Sequence, residues 1–193
     1  MIMSEEDGEA TTLAFDELEG HVYNAEPVDV CLRGAPIGFG VDPSSPCGIL
    51  VIKITLIKAQ LLSVPPKLFL FPSLQILSLS SNRIKTLPEK GWSSLLALEE
   101  VDVSHNQIKL LPPELSEAKA IRILNLRSND LRHFVEHCIP VLRTMPSLEH
   151  IDLRYNKSLR GLTPSAIEAQ LERSLEVLCG AEKGVPWRRG LEA

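Results

Sequence analysis

A short pattern of apolar residues recurs at near-constant spacing along the middle of this chain, and it constrains the fold more than any other feature. Each copy has apolar residues at its first, fourth and sixth positions. The copies start at residues 51, 74, 98, 121 and 148, so the spacings are 23, 24, 23 and 27 residues. Such a period indicates stacked repeats, in which each unit buries its apolar edge only against its neighbours. Because about three units are needed for stability, five are sufficient for a domain.

The second copy illustrates the chemistry of one unit, with Leu74, Leu77 and Leu79 followed by an asparagine at the ninth position. In a strand the fourth and sixth positions point to one face, and the fifth points to the other. An asparagine side chain offers a donor and an acceptor to backbone groups that lose their partners where the strand ends. The asparagines predicted to form such a structural ladder are Asn82, Asn106, Asn129 and Asn156. The first copy has Ala59 there and is predicted to be an atypical terminal unit.

This pattern resembles the leucine-rich repeat (LRR) family, in the intracellular form with Leu-Pro repeats of about 23 residues. The Leu-Pro pairs stand at Leu87–Pro88 and Leu111–Pro112, and the resemblance covers about residues 50 to 165. It implies an α/β solenoid with a short, curved parallel sheet of about five repeats. It also implies a rigid concave face that binds other proteins and performs no catalysis.

The C-terminal end of the predicted sheet needs a cover, since its edge would otherwise be unpaired. Thr163 and Pro164 suit the N-cap and first positions of a helix. Apolar residues follow at helical spacing, at Ile167, Leu171, Leu175 and Leu178, with Gly180 as the stop. We therefore predict a capping helix over about residues 164–179, an LRR domain over 49–180 and a C-terminal tail over 181–193.

Residues 1–48 differ in kind from the repeats and are predicted to be an acidic, largely irregular head. The first 50 residues carry a net charge of −9, with Arg33 as the only base, whereas the rest of the chain carries +4. The apolar alternation from Val28 to Leu32 would allow this segment to pair with the edge strand at 49–57 as an N-terminal cap. The alternative is that the head or the bare edge binds a partner. A charge of +4 without a basic cluster makes nucleic acid an unfavoured ligand.

The repeat register also predicts which side chains line the concave face, namely the third, fifth, seventh and eighth positions of each repeat. The middle of this face has small polar residues, and its C-terminal end has arginine and tyrosine, which are enriched at the energetic centres of interfaces. The residues predicted to contact a protein partner are Asp102, His105, Asn125, Arg127, His150, Asp152, Arg154 and Tyr155. The alternative is that Asp152 forms an ordinary surface ion pair with Arg154 or Arg127.

One motif with catalytic potential occurs in the sequence. Residues His133 to His137 spell HxxEH, a zinc motif of certain peptidases. Phe134 is needed as the buried closing residue of the fourth repeat, so we interpret this stretch as a turn on the convex side with solvated histidines. Asp102, Ser104 and His105 lie in one strand and lack an oxyanion loop, so no nucleophilic triad is indicated. The sequence thus predicts no catalytic residues, no metal and no cofactor.

The composition of the chain favours some subcellular locations over others. The longest apolar stretch is far shorter than the ~20 residues that span a bilayer, and the acidic start differs from a secretory signal. The four cysteines form no CxxC pair, which suggests a reducing compartment. We expect a cytoplasmic adaptor or structural subunit of a hetero-complex, with nuclear, cytoskeletal or ciliary locations left open. The alternative is a regulator of an enzyme: a phosphatase or small-GTPase regulator, or a substrate receptor for ubiquitin ligation.

Overall fold

The computed structural model describes residues 28–33 and 51–180, and these form one parallel sheet with strands in sequential order. Each strand pairs with the next in the chain, as expected for stacked repeats. The strands are β1 (Val28–Arg33), β2 (Val51–Ile57), β3 (Ile76–Ser78), β4 (Glu100–Asp102), β5 (Ile123–Asn125), β6 (His150–Asp152) and β7 (Glu176–Leu178). Strands β2 to β6 belong to the five predicted repeats, and the sheet is not closed into a barrel.

The segments between strands return along the convex side through short helical turns. The turns at Pro66–Leu70, Trp92–Ser94, Pro113–Glu117 and Lys157–Leu159 are 3₁₀ helices. In the longest repeat a π-helical turn at Phe134–Cys138 runs into helix α1 (Ile139–Arg143). Helix α2 (Pro164–Leu171) follows β6. The 27-residue spacing of that repeat therefore accommodates the extra helical turns.

The apolar positions of the pattern form one continuous core. Leu77, Val101, Leu124 and Ile151 are aligned partners on β3 to β6, and all are buried. This alignment is the one that the repeat register predicts. Burying such side chains contributes roughly 1.5–3 kcal/mol each, so the stack of repeats is held together mainly by this row and its neighbours.

The four predicted ladder asparagines are buried and each joins two repeats. The Nδ2 group of Asn106 donates to the carbonyls of Leu79 (2.9 Å) and Val103 (3.0 Å), and its Oδ1 accepts from the Ile84 N–H (3.0 Å). Asn82, Asn129 and Asn156 make the equivalent three contacts in their own repeats. Backbone groups left by the ending strands are thus satisfied by side-chain amides. Ala59 is buried in the first repeat and has no amide to contribute.

The predicted capping helix over 164–179 is wrong in its second half. The helix starts as expected, since Thr163 Oγ1 accepts from the Ala166 N–H at 3.2 Å. It ends at Leu171, Glu172 takes a left-handed conformation (φ 57°), and residues 176–178 form β7 beside β6. Ile151 is aligned with Val177, so this segment is a sixth unit in the repeat frame.

The helix was predicted to be too long because the sequence of the last repeat unit departs from the pattern of the other repeats. Its first and sixth pattern positions hold Ser174 and Cys179 in place of the usual large aliphatic residues. Leu175 and Leu178 happen to continue the helical spacing of α2. Beside the sheet, Val177 and Cys179 are buried on the core side, and burial in the repeat frame overrides the local helical pattern.

Strand β1 occupies the N-terminal edge, where the sequence analysis placed a candidate cap. It pairs in parallel with β2, and Val30 is aligned with Ile54. The edge of β2 thereby has its backbone groups paired. The other predicted features of residues 1–27 and 34–50, and of the tail at 181–193, lie outside the described residues.

Gly91 provides a test of how tightly the convex turns pack. Its φ is 103°, and an added Cβ would lie 2.6 Å from Cγ of Phe69, which packs edge-on against Trp92 at 5.1 Å. We expect Gly91→Ala to lower the free energy of unfolding by roughly 2–4 kcal/mol, since backbone strain and overpacking act together. Urea denaturation measures this change.

The matched control is Gly161→Ala. Gly161 has a similar φ of 92°, but no atom lies within 4 Å of the added Cβ. Only the backbone strain of roughly 1–2 kcal/mol then applies. Equal losses of unfolding free energy in the two variants would show that the contact with Phe69 does not contribute to the destabilisation.

Candidate functional site on the concave face

The structure places the predicted contact residues on one face of the sheet but exposes them unequally. His105 and Tyr155 are exposed, whereas Asp102, Arg127 and His150 are partly buried. The remaining three predicted contacts are buried: Asn125, Asp152 and Arg154. Register correctly assigns a side chain to a face, but it does not determine how much of that side chain its neighbours cover.

Side chains at the fifth position form a repeated turn that the sequence analysis missed. Oδ1 of Asp102 accepts from the Ser104 N–H at 2.9 Å, and Oδ1 of Asn125 accepts from the Arg127 N–H at 3.0 Å. Asp152 does the same for Arg154 at 2.9 Å. These Asx turns bend the backbone as each strand ends. The signal was visible in the sequence, because three successive repeats have Asp or Asn at this position.

The eighth position of each of the five predicted repeats adopts a left-handed backbone conformation. The φ values lie between 53° and 61° at the five equivalent residues Lys58, Ser81, His105, Ser128 and Tyr155. Non-glycine residues seldom adopt this conformation, and it persists where the surrounding structure imposes it. The backbone conformation therefore fixes where His105 and Tyr155 project from the face.

Asp152 and Arg154 were expected to face water, and the structure corrects that expectation. Their side chains are 0% and 1% exposed, respectively. Nη2 of Arg154 donates to Oδ2 of Asp152 at 2.6 Å, and its Nε lies 3.0 Å from both carboxylate oxygens. The alternative of an ion pair with Asp152 is thus realised, but as a buried pair. These two residues organise the site and are not open contact groups.

Arg127 and Tyr155 form a contact cluster on the face. The Arg127 guanidinium carbon lies 4.7 Å above the centre of the Tyr155 ring, within the range of a cation–π contact. Tyr155 is 37% exposed. The Nε of Arg127 is buried and has no hydrogen-bond acceptor among the described residues. The cluster thus combines an exposed aromatic ring with a cationic group.

A charged network borders the same face. His150 Nδ1 lies 2.8 Å from Oε2 of Glu176, and Arg122 donates from Nε and Nη2 to the carboxylate of Glu149 at 3.1 and 2.8 Å. The hydrogen bond from Arg122 holds the pKa of Glu149 below its usual value. All four side chains remain substantially exposed. The network therefore contributes little stability, and its main effect is on the distribution of charge beside the face.

Asp102 is electrostatically different from Asp152 although both occupy the fifth position. Burial raises the pKa of Asp102, and the nearby Glu100 raises it further, although the hydrogen bonds from Ser104 act in the opposite direction. Asp152, by contrast, has the buried guanidinium of Arg154 against it. The same position thus holds one carboxylate that is desolvated without an arginine partner and one that is fully paired.

The HxxEH stretch forms a π-helical turn between β5 and β6, and both of its histidines are exposed, in agreement with the expected turn with solvated histidines. His133 precedes this turn with a left-handed backbone (φ 47°), and its ring lies 5.9 Å from that of His137, which belongs to the turn. Phe134 is buried, as the repeat frame requires. No group of three or more potential metal ligands occurs within residues 28–33 and 51–180. In the same described part of the chain, no helix is long and apolar enough to cross a membrane.

Comparisons with known proteins agree with this geometry. The leucine rich repeat family model matches residues 53–108 and 72–131. A leucine-rich repeat and calponin homology domain-containing protein of Drosophila melanogaster is 41% identical over 61 residues, which cover 32% of this chain and 8% of that protein. The human serine/threonine-protein kinase 11-interacting protein is 32% identical over 116 residues, which cover 58% of this chain and 10% of the relative.

A similar fold occurs among solved structures. An LRR protein of Leptospira interrogans is 25% identical and superposes with a TM-score of 0.52, covering 67% of this chain and 33% of that one. The residues that match the two curated relatives make up only 8% and 10% of those proteins. The feature that this chain shares with them is the repeat domain.

Proposed function

This chain is a leucine-rich repeat protein, and we propose that it is a non-catalytic interaction module that binds a protein partner through the C-terminal half of its concave face. The observation that carries this proposal is the Arg127–Tyr155 cluster, in which an exposed aromatic ring lies against a guanidinium.

The surroundings of this cluster support binding. The Ser128 N–H donates to the Arg154 carbonyl (2.9 Å), and the Tyr155 N–H donates to the Gly180 carbonyl (3.1 Å). The backbone that presents the cluster is therefore fixed before a partner arrives, which lowers the entropic cost of association. Arginine and tyrosine are also the residues most often found at energetic centres of interfaces.

The wider role that we propose is that of an adaptor or structural subunit in a larger cytoplasmic assembly. A rigid sheet face can hold a partner without undergoing chemistry of its own. A second candidate is a regulator of an enzyme. It is favoured by the similarity to the kinase 11-interacting protein, whose name states an interaction with a kinase.

The test of the concave-face proposal is quantitative affinity capture with the full chain and with an Arg127→Ala/Tyr155→Ala variant. We expect at least one partner to be recovered about tenfold less by the variant, since hot-spot residues typically contribute more than about 1.4 kcal/mol. Identification of the partner as an enzyme would favour the second candidate over the adaptor role.

The matched control is Lys67→Ala/Lys119→Ala, which removes two exposed side chains outside the face. It should recover the same partners as the unaltered chain. Equal recovery by all three proteins would contradict the concave-face proposal.

A further inference from the structure

A row of basic side chains follows the asparagine ladder on the flank of the solenoid. The third residue after the asparagine is Lys85, Lys109 or Arg132 in three successive repeats, and all three are exposed. The Arg132 N–H donates to the Lys109 carbonyl at 2.8 Å, so these positions lie on neighbouring rungs. The Gln107 N–H likewise donates to the carbonyl of Ile84, the neighbour of Lys85, at 2.9 Å. The row therefore brings together positive charges that lie 24 and 23 residues apart in the sequence.

These side chains line a groove of about 560 Å³ that also includes Lys157 and Gln107. Among its described lining residues the single acid is Asp130, which pairs with Arg132 at 2.8 Å. Both members of that pair are about half exposed, so water screens the pair and it contributes little. The groove thus carries four cationic side chains against one carboxylate.

We propose that this groove is a second binding surface, separate from the concave face, and that it takes an acidic polypeptide segment of a partner protein. Charge complementarity requires an anionic ligand. In an extended peptide, side chains on one face recur about every 6.6–6.8 Å. Flexible lysine and arginine side chains can reach successive carboxylates of such a peptide when it runs across the rungs.

The composition of the groove favours a peptide over a single-stranded nucleic acid. None of its described lining residues is aromatic, so bases would have no ring on which to stack. The carboxamide of Gln107 and the guanidinium of Arg132 suit carboxylates and peptide groups. The structure therefore reveals a basic cluster that the sequence analysis did not identify, and the lining favours a protein ligand for it.

The experiment measures binding of a fluorescein-labelled peptide, six Glu-Ser pairs long, to the full chain by fluorescence anisotropy at low salt. A peptide of six Gln-Ser pairs is the uncharged probe. We expect saturable binding of the acidic peptide alone, with affinity that falls as salt rises. Lys85→Gln/Lys109→Gln should weaken it about tenfold, because each lysine removed loses one charge-assisted contact.

The matched control is Lys67→Gln/Lys119→Gln, which removes the same charge from exposed sites outside the groove and should change the affinity less than about twofold. Equal weakening by the two lysine pairs would overturn the proposal. Tighter groove-dependent binding of a labelled thymidine dodecamer would also overturn it in favour of nucleic acid. A third outcome would also overturn the proposal: peptide binding that appears only after the acidic residues of positions 1–27 are changed to amides. In that case the chain's own acidic head would be the ligand that occupies the groove.

Discussion

Replacing Asp152 with asparagine is expected to lower the free energy of unfolding by about 3–5 kcal/mol, the loss that follows when one partner of a buried ion pair is removed. Asparagine keeps an oxygen that can accept from the Arg154 N–H, so the Asx turn survives. What disappears is the charge facing a guanidinium that is 1% exposed. Urea denaturation followed by circular dichroism at pH 7 measures the change.

Asp102→Asn is the matched control, because it makes the same substitution at the same position two repeats earlier. The raised pKa of Asp102 means that the folded protein holds the proton more tightly than the unfolded chain does. At neutral pH the ionised carboxylate therefore opposes folding, and this penalty fades as the pH falls through the raised pKa. We expect Asp102→Asn to be neutral or stabilising at pH 7, especially since Asn125 already occupies this position in the next repeat.

The two outcomes together separate the turn from the charge. A large loss in both variants would show that the Asx turn needs a carboxylate and that Arg154 is incidental. A small loss in both would mean that the buried pair contributes little net stability. Only a loss confined to Asp152→Asn fits a site organised around its pair with Arg154.

The behaviour of these two aspartates also shows where prediction from sequence ends. Periodicity predicted strands β2 to β6 and their alignment, since Leu77, Val101 and Leu124 must share a buried face. It could not distinguish Asp102 from Asp152, because one-dimensional spacing says nothing about which cation lies above a carboxylate. Burial on the concave face depends on contacts between side chains, and these exist only once the rungs are stacked.

The two regions that sequence reasoning misread have a common origin. Residues 172–179 satisfy a helical spacing and a degenerate repeat frame at once, and tertiary packing decides in favour of β7. The basic groove escaped notice because Lys85, Lys109 and Arg132 are separated by whole repeats. A search for contiguous clusters fails in such a fold, whereas superposing the repeats on Asn82, Asn106 and Asn129 aligns all three cations.

Removing one ladder amide should be nearly as costly as breaking the buried pair. Asn106→Ala leaves the carbonyls of Leu79 and Val103 and the N–H of Ile84 without their side-chain partner. A buried polar group without a partner costs about 1–3 kcal/mol. Allowing for partial relaxation among three such groups, we expect the free energy of unfolding to fall by about 3–5 kcal/mol. Urea denaturation gives the value, and Gln107→Ala, at the exposed neighbour, should change it by less than about 0.5 kcal/mol.

The position of Asn106 between two repeats means that its loss should also change the cooperativity of unfolding. Its bonds join the second repeat to the third, so its loss weakens the stack between two repeats on one side and, with the unit at β7, four on the other. Repeat domains are stable only when neighbouring units remain coupled. We therefore expect a lower urea slope or two separate transitions in Asn106→Ala, together with faster hydrogen exchange at the Ile84 N–H. The contrary result is a single transition with an unchanged urea slope and an unchanged exchange rate at the Ile84 N–H. It would show that the buried leucine row alone couples the repeats and that the asparagine ladder does not contribute to this coupling.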